Sequence, residues 1–341
     1  MAELSNIAFS ILDLAPVSVG SSAAETFRNS LDLAQHAEKW GYTRYWLAEH
    51  HNLPGIASSA TSVLIGYIAA GTKSIRVGSG GVMLPNHAPL VIAEQFGTLE
   101  ALYPGRIDLG LGRAPGTDPA TSYALRRGLD ANGSDFPELL AELMRYFAPP
   151  APHQRVRAYP GNNMSIPIWL LGSSTFSARL AAELGLPFSF ASHFAPEELM
   201  EALAVYRSRF RPSAQLAKPY VSVGVPVIVA ESENLARKLA TTTMQKFLGL
   251  IRGEPVQGKP PVDNIDEIWT PAEREAVMSR LRLALFGDPT KVRAGLTELI
   301  EHTQADELIV VSDLYRHEAR LRSYELLATA CINQLAPARS I

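Results

Sequence analysis

Apolar segments alternate with segments of helical periodicity along nearly the whole chain, and this alternation restricts the possible folds most strongly. Eight apolar runs have the length and composition of strands, at residues 7–13, 42–49, 75–84, 107–112, 166–171, 188–191, 220–230 and 308–311. Because these runs are largely continuous in their apolar character, they predict parallel strands that are buried on both faces. Apolar residues at helical spacing occur at 24–40, 60–70, 87–102, 136–147, 174–184, 197–210, 290–302 and 317–335.

Eight strand and helix units in succession predict an α/β fold, a closed (β/α)8 TIM barrel, rather than an open sheet. A barrel of this kind accommodates the chain as a single domain over residues 1–341. Residues 231–288 break the alternation with two helical stretches, 236–250 and 271–285, on either side of a segment rich in Gly and Pro. We interpret 231–288 as an insertion after strand seven. It is expected on the active-site face of the barrel, where it is a candidate lid.

Composition points to a large buried core and gives no sign of a charged partner. Hydrophobic residues make up 47% of the chain and charged residues 19%, with a net charge of −3. We therefore expect no general affinity for nucleic acid or for an anionic membrane. Cys331 is the only cysteine, no apolar run approaches a membrane span, and the N-terminus lacks the pattern of a signal peptide. These features predict a cytoplasmic location.

Polar residues or glycines follow five successive strands at their downstream ends. The segments concerned are Glu49-His50-His51, Gly78-Ser79-Gly80-Gly81, Gly110-Leu111-Gly112-Arg113, Gly172-Ser173-Ser174 and Ser192-His193. Because the carboxyl ends of barrel strands meet at one face, these residues are expected to form one site.

Two of these segments have the character of an anion site. Arg113 can bind a phosphate through two hydrogen bonds, and an ion pair with a nearby carboxylate such as Asp118 is the alternative. Gly172, Ser173 and Ser174 precede a helix, where backbone N–H groups and hydroxyls can converge on an anion. An ordinary N-cap serine is the alternative there. Together with Arg113 from the adjacent strand, the segment favours a phosphate pocket.

Gly80 and Gly81 within a strand indicate a bulge or a place where a flat group approaches the backbone. His50 suits proton transfer, and as neighbours on a strand His50 and His51 should point in opposite directions. We predict no metal site. A metal-dependent hydrolase built from His50, His87, His193 and Asp313 remains an alternative. The glycines from Gly110 onward do not match a dinucleotide fingerprint, because Pro115 stands at the third position.

The motifs Trp46–His51, Gly78–Pro85, Leu109–Arg113 and Trp169–Ser174 resemble the bacterial luciferase family of flavin-dependent monooxygenases. More narrowly, the chain is similar to luciferase-like oxidoreductases of unassigned substrate. The match is tight over residues 7–193 and loose through the insertion.

The resemblance implies a barrel that binds reduced FMN at its carboxyl end. It places His50 at the catalytic position and assigns the cofactor to Ser79, Gly80, Gly81, Gly172 and the phosphate-binding residues Arg113, Arg126, Ser173 and Ser174. The Gly80–Gly81 bond matches a dipeptide that is often cis beneath the flavin ring. Gly112 departs from the light-emitting relatives, which have a reactive cysteine there, so luminescence is not expected.

The implied activity is a monooxygenase that uses reduced FMN and O2 to oxidise a small organic substrate. Because no NAD(P)H fingerprint is recognisable, a separate NAD(P)H:flavin reductase is the expected source of reduced FMN. A deazaflavin-dependent dehydrogenase on the same barrel and a non-catalytic flavin-binding protein are alternatives. Relatives are usually homodimers, and the apolar helices at 61–69 and 91–102 are the expected interface.

Overall fold

A computed structural model describes residues 4–114, 118–126, 133–254 and 256–332. Within them the strands are β1 (Ala8–Asp13), β2 (Arg44–Leu47), β3 (Arg76–Met83), β4 (Ile107–Gly112), β5 (Ile168–Gly172), β6 (Phe188–Phe190), β7 (Val221–Val229), β8 (Leu285–Gly287) and β9 (Glu307–Val311). All their pairings are parallel. Strands β1 to β7 together with β9 close into a barrel, because β6 pairs with β7 and β9 pairs with both β7 and β1. The predicted TIM barrel is confirmed.

Helices surround the barrel and connect its strands. They are α1 (Ala23–Trp40), α2 (Thr61–Ala70), α3 (Pro89–Leu102), α4 (Pro119–Arg126), α5 (Phe136–Phe147), α6 (Thr175–Leu184), α7 (Leu199–Arg209), α8 (Glu233–Arg252), α9 (Pro271–Arg280), α10 (Pro289–Thr303) and α11 (His317–Cys331). Gly41 ends α1 in the left-handed conformation that favours glycine, with φ of 87°. The sequence pattern did not reveal α4, and the predicted end of the last helix at Leu335 lies outside the described residues.

Side chains of the barrel strands alternate between two environments. Tyr45 and Leu47 of β2 point outward into the main hydrophobic core between strands and helices. Arg44 and Trp46 point into the barrel, where Trp46 packs against Leu12, Trp169 and Ile309. The interior is therefore filled in layers, with charged residues at the amino ends of the strands and glycines at the carboxyl ends.

The insertion after β7 holds α8, α9 and one further strand. β8 pairs with the end of β7, from Val227 to Val229, outside the closed barrel. The predicted helix at 271–285 is too long, since α9 ends at Arg280 and the chain then turns into β8. A three-residue strand gives too weak a pattern to be found in the sequence. Among the described helices, none combines the length and the apolar character needed to cross a membrane.

Candidate active site

A cavity of about 310 Å³ opens at the carboxyl ends of the barrel strands. Seven of the nine residues assigned to catalysis or to the cofactor line it, namely His50, Gly80, Gly81, Arg113, Gly172, Ser173 and Ser174. Leu12, Trp46 and Ile309 of the barrel interior form its apolar floor. The structure thus brings together strand ends that lie far apart in the sequence.

Two selected residues do not contribute a described side chain to the cavity. Ser79 is completely buried, and its hydroxyl donates to the carbonyl of Gly110 at 2.8 Å and accepts from the N–H of Gly110 at 3.0 Å. It links β3 to β4 where their register shifts between Ser79 and Val82. Arg126 is the last residue of α4, but its side chain lies outside the described part of the structure.

The wall formed by β3 has no room for side chains. The Gly80–Gly81 peptide bond is cis, as the resemblance implied. A Cβ atom on Gly80 would lie 2.7 Å from Leu12 Cδ1, and one on Gly81 would lie 2.7 Å from the carbonyl oxygen of Gly110. The conflict at Gly81 is with backbone, and a Cβ atom on Gly80 would force Leu12 to shift, so backbone forms this side of the cavity.

One end of the cavity presents groups suited to an anion. The Arg113 guanidinium lies over the ring of Phe176, with its Cζ atom 4.3 Å from the ring centre. Among the described residues it pairs with no carboxylate, and Asp118 instead accepts hydrogen bonds from Asn52 and Thr121. The alternative pair of Arg113 with Asp118 is therefore absent.

The start of α6 faces the same end of the cavity. Ser174 is the N-cap of α6, but its side chain makes no capping hydrogen bond, and the Ser173 hydroxyl likewise has no partner in the described structure. The Thr175 N–H donates to the carboxylate of Glu198 at 3.2 Å, so one backbone donor of the helix is already in use. The two hydroxyls and Arg113 remain as donors for a ligand.

The loop after β2 places its two histidines differently. β2 ends at Leu47, so His50 and His51 lie in a loop and not on a strand as expected. His50 lines the cavity, whereas His51 Nε2 lies 3.0 Å from Glu49 Oε1. The two side chains therefore have different surroundings, although neither residue lies on a strand.

Glu49 connects its own loop to the end of β3 and to the segment before α3. Its Oε1 atom also lies 2.8 Å from Nε2 of His87, and its Oε2 accepts the N–H of Met83 at 3.2 Å. Burial alone would raise the pKa of Glu49, but hydrogen bonds from His51 and His87 outweigh burial and lower the pKa to about 2. The buried carboxylate holds the His50 loop against the end of β3. The role of His87 was missed, because nothing near it in the sequence connects it to Glu49.

Glu49, His51 and His87 are the only described group of three or more histidine and acidic side chains whose possible metal-ligand atoms converge. These atoms all lie within 4.8 Å of one another. Hydrogen bonds between one carboxylate and two imidazoles account for these distances. The set proposed for a metal-dependent hydrolase does not assemble, because His87 contacts Glu49 and Asp313 pairs with Lys246. The structure gives that alternative no support.

A second histidine, His193, follows β6 and lines the cavity near His50. Its Nδ1 atom is buried and has no hydrogen-bond partner in the described structure. Desolvation, with a further contribution from His50, lowers the pKa of His193 to about 4. A Cβ atom on Gly224 would lie 2.5 Å from this nitrogen, so the glycine makes room for the ring. The site therefore contains a neutral imidazole at pH 7.

The sequence matches the family model of luciferase-like monooxygenases over residues 7–307. The chain belongs to this family. A luciferase-like monooxygenase of Escherichia coli is 58% identical over 320 residues, covering 94% of this chain and 96% of the relative. The N-acetyl-S-alkylcysteine monooxygenase of Bacillus subtilis is 33% identical over 335 residues and covers 96% and 98% of the two chains. Family membership supports a monooxygenase.

Solved structures of luciferase-like proteins share the fold. The apo-MsnO8 crystal structure has a TM-score of 0.85 and 35% identity, covering 97% of this chain and 99% of that chain. The oxygenating constituent of 3,6-diketocamphane monooxygenase from Pseudomonas putida, solved in complex with FMN, has a TM-score of 0.69 at 18% identity, with coverage of 97% and 100%. At that identity the likeness concerns the fold alone.

Proposed function

We propose that this luciferase-like protein is an FMN-dependent monooxygenase that oxidises a small organic substrate with O2. The observation that carries the proposal is the arrangement of one cavity. Arg113, Ser173 and Ser174 line it as donors that have no hydrogen-bond partner in the described parts of the chain, and His50 and His193 line the same cavity. The FMN-bound structural neighbour has the same fold, which is consistent with a flavin at the carboxyl end of the barrel.

The residues present fit FMN. The phosphate would be held by the Arg113 guanidinium and by the hydroxyls of Ser173 and Ser174, for which the described residues supply no hydrogen-bond partner. Gly172 lets Ser177 of α6 pack against the end of β5, since a Cβ atom there would lie 2.7 Å from Ser177 Oγ, and Gly80 and Gly81 leave a wall without side chains for a planar ring. Reduced FMN would supply the electrons with which one atom of dioxygen enters the substrate and the other leaves as water.

The chain's own groups would control protons and water. His50 is placed to hold or move a proton at the reacting centre, because its side chain lines the cavity from the loop fixed by Glu49. His193 stays neutral at pH 7 and can accept a hydrogen bond without adding charge. Leu12, Trp46 and Ile309 exclude water from the floor, which suppresses wasteful release of peroxide.

His50→Ala tests this assignment. We expect the variant to keep FMN affinity but to separate oxygen consumption from product formation, with most O2 recovered as hydrogen peroxide. Oxygen uptake, peroxide and product are measured in parallel, with the exposed His302→Ala as the matched control. Full coupling in His50→Ala would remove His50 from the mechanism.

Cofactor choice is tested by titrating the protein with reduced FMN and with reduced F420 under the same conditions. FMN binding with a Kd well below that of F420 supports the proposal, and the reverse supports the deazaflavin-dependent dehydrogenase. A substrate panel, scored by loss of peroxide release, separates an enzyme from a non-catalytic flavin-binding protein. N-acetyl-S-alkylcysteines belong in the panel because of the Bacillus relative of that name.

Two partners complete the proposal. Reduced FMN would come from a separate NAD(P)H:flavin reductase, so added reductase should be required for turnover with NAD(P)H. A second copy of the chain would cover α2 and α3, which expose Val63, Tyr67, Val91 and Leu102. Light scattering of the wild type and of Val63→Glu tests the homodimer, which the substitution should weaken.

A further inference from the structure

A second cavity of about 230 Å³ adjoins the first, and we name it the insertion chamber. Leu14, His50, His193 and Phe194 line both cavities and mark their junction. The far walls come from α8, from the segment after it, from the end of α9 and from β8, all within residues 231–288. The insertion therefore encloses space next to the two histidines.

Most of the insertion chamber is apolar. Its walls include Leu53, Ile56, Ile228, Phe247, Val256 and Phe286. Such a lining suits the hydrocarbon part of a ligand and gives no hydrogen bonds along its length. Specificity must therefore come from the few charged groups that also line the chamber, which are Lys246, Arg280 and Asp313.

Two of these three charges cancel. Lys246 Nζ donates to Asp313 Oδ2, and the two side chains are only 9% and 16% exposed. The Thr243 hydroxyl, also in the chamber wall, donates to the backbone carbonyl of Asp313 at 2.8 Å and helps to fix this position. The pair is neutral as a unit, so it attracts neither an anion nor a cation strongly.

Arg280, the last residue of α9, is the charge that remains. Its guanidinium makes no hydrogen bond and no ion pair with any residue that the structure describes, and the residue is exposed. Because Arg280 is exposed while His193 has its Nδ1 buried, the guanidinium marks the solvent end of the chamber and the histidines mark the inner end. The insertion chamber is thus an apolar space with one uncompensated positive charge at its entrance.

We propose that the insertion chamber binds the organic substrate and selects an organic acid. The oxidation of this acid rests on the proposed function, whereas its binding to the insertion chamber does not. The carboxylate of the ligand pairs with Arg280, and its apolar body lies along the chamber. The opposite end of the ligand reaches His50 and His193 at the junction, so the oxidised position is remote from the acid group.

The test uses straight-chain acids as probes. Binding of hexanoate, octanoate and decanoate to the full chain without flavin is measured by titration calorimetry, beside the uncharged octanamide. We expect octanoate to bind more tightly than octanamide and to lose about fivefold to tenfold in affinity in Arg280→Gln, since an exposed guanidinium is partly screened by solvent. Added salt should weaken octanoate binding to the wild type and have little effect on the variant.

Arg282→Gln is the matched control. Arg282 is also exposed and lines a different cavity. Its substitution removes the same charge as Arg280→Gln. It should leave octanoate affinity unchanged, and octanamide should bind all three proteins alike. Equal affinity for octanoate and octanamide, an unchanged affinity in Arg280→Gln, or no binding of any of the acids would overturn the proposal.

The two proposals fail separately. FMN titration reports on Arg113 and the first cavity, whereas the calorimetry needs no cofactor. Acid binding that depends on Arg280 in a protein that does not bind FMN would keep the insertion chamber and remove the flavin. FMN binding without acid binding would support the flavin site and reject the insertion chamber as an acid-binding site.

Discussion

The polar groups at the two ends of the barrel interior differ in whether they have partners within the protein. At the amino end, Arg44 donates to Asp108 and to Glu307, each at 2.8 Å, and Arg76 also pairs with Asp108. At the carboxyl end, Arg113 and the hydroxyls of Ser173 and Ser174 have no hydrogen-bond or ionic partner among the described residues. The amino end satisfies its charges internally, and the carboxyl end leaves donors for a ligand. The ion pairs at the amino end stabilise the fold, and the donors at the carboxyl end are available to bind a ligand.

The amino end is closed by more than its ion pairs. Burial alone would lower the pKa of Arg44, but attraction to Glu307 and Asp108 outweighs burial and raises the pKa. The Trp46 indole N–H donates to Asp108 at 3.2 Å, and the Arg44 guanidinium lies over the Trp169 ring at 4.7 Å. Each group in this network has a partner, which is why the charges can be buried.

The largest expected effect comes from removing the centre of that network. Arg44→Met should lower the free energy of unfolding by about 3–5 kcal/mol, because Glu307 then loses its cationic partner inside the barrel. Urea unfolding measures the loss, and FMN affinity of the folded variant should be unchanged.

Arg76→Met is the control for this prediction. The Arg76 side chain is 28% exposed, compared with 10% for Arg44. In Arg76→Met, Asp108 still pairs with Arg44. A smaller loss of stability is expected. Equal losses for the two variants would show that the amino end does not depend on Arg44 as described.

Sequence reasoning found the carboxyl end because its signals are local. Glycines and hydroxyls directly after apolar runs stand out, and the order of the strands brings them together without further information. The network at the amino end gives no such signal, since 64 residues separate Arg44 from Asp108 and 263 separate it from Glu307. Arg44 also lies inside an apolar run, and the pattern therefore did not mark it. Pairings of this kind depend on the closure of the barrel.

A pH effect of intermediate size is expected from His193 at the carboxyl end. Its pKa in the folded protein is about 4, below the ordinary value of 6.5, so only the unfolded chain binds a proton between these values. Stability from this group is complete above pH 6.5 and is lost as the pH falls toward 4. The wild type should lose roughly 2–4 kcal/mol more than His193→Asn over this range. Denaturant midpoints at several pH values measure it, and parallel curves for the two proteins would contradict the assignment.

Arg113→Ala should change FMN affinity and not stability, whereas Arg44→Met should change stability and not FMN affinity. FMN affinity should fall by about 1.5–3 kcal/mol, because a charge-assisted bond to the phosphate is lost. Stability without ligand should hardly change, since none of the described residues forms an ion pair with Arg113. Flavin fluorescence titration measures the affinity, and Arg179→Ala on the exposed face of α6 removes the same charge as a control. An unchanged FMN affinity would refute the phosphate role.

The smallest effects come from deleting one hydroxyl at each end. The Ser10 hydroxyl is buried and donates to Glu307, so Ser10→Ala should cost about 1 kcal/mol of stability and leave FMN affinity alone. The Ser174 hydroxyl makes no capping bond in α6, so Ser174→Ala should leave stability nearly unchanged and weaken FMN by about 0.5–1.5 kcal/mol. The same atom is removed in both variants, which makes the pair a direct comparison of the two ends. If Ser174→Ala destabilised the fold as much as Ser10→Ala and left FMN binding intact, the hydroxyl would act as a structural cap, and the distinction between a closed end and a binding end would fail at this residue.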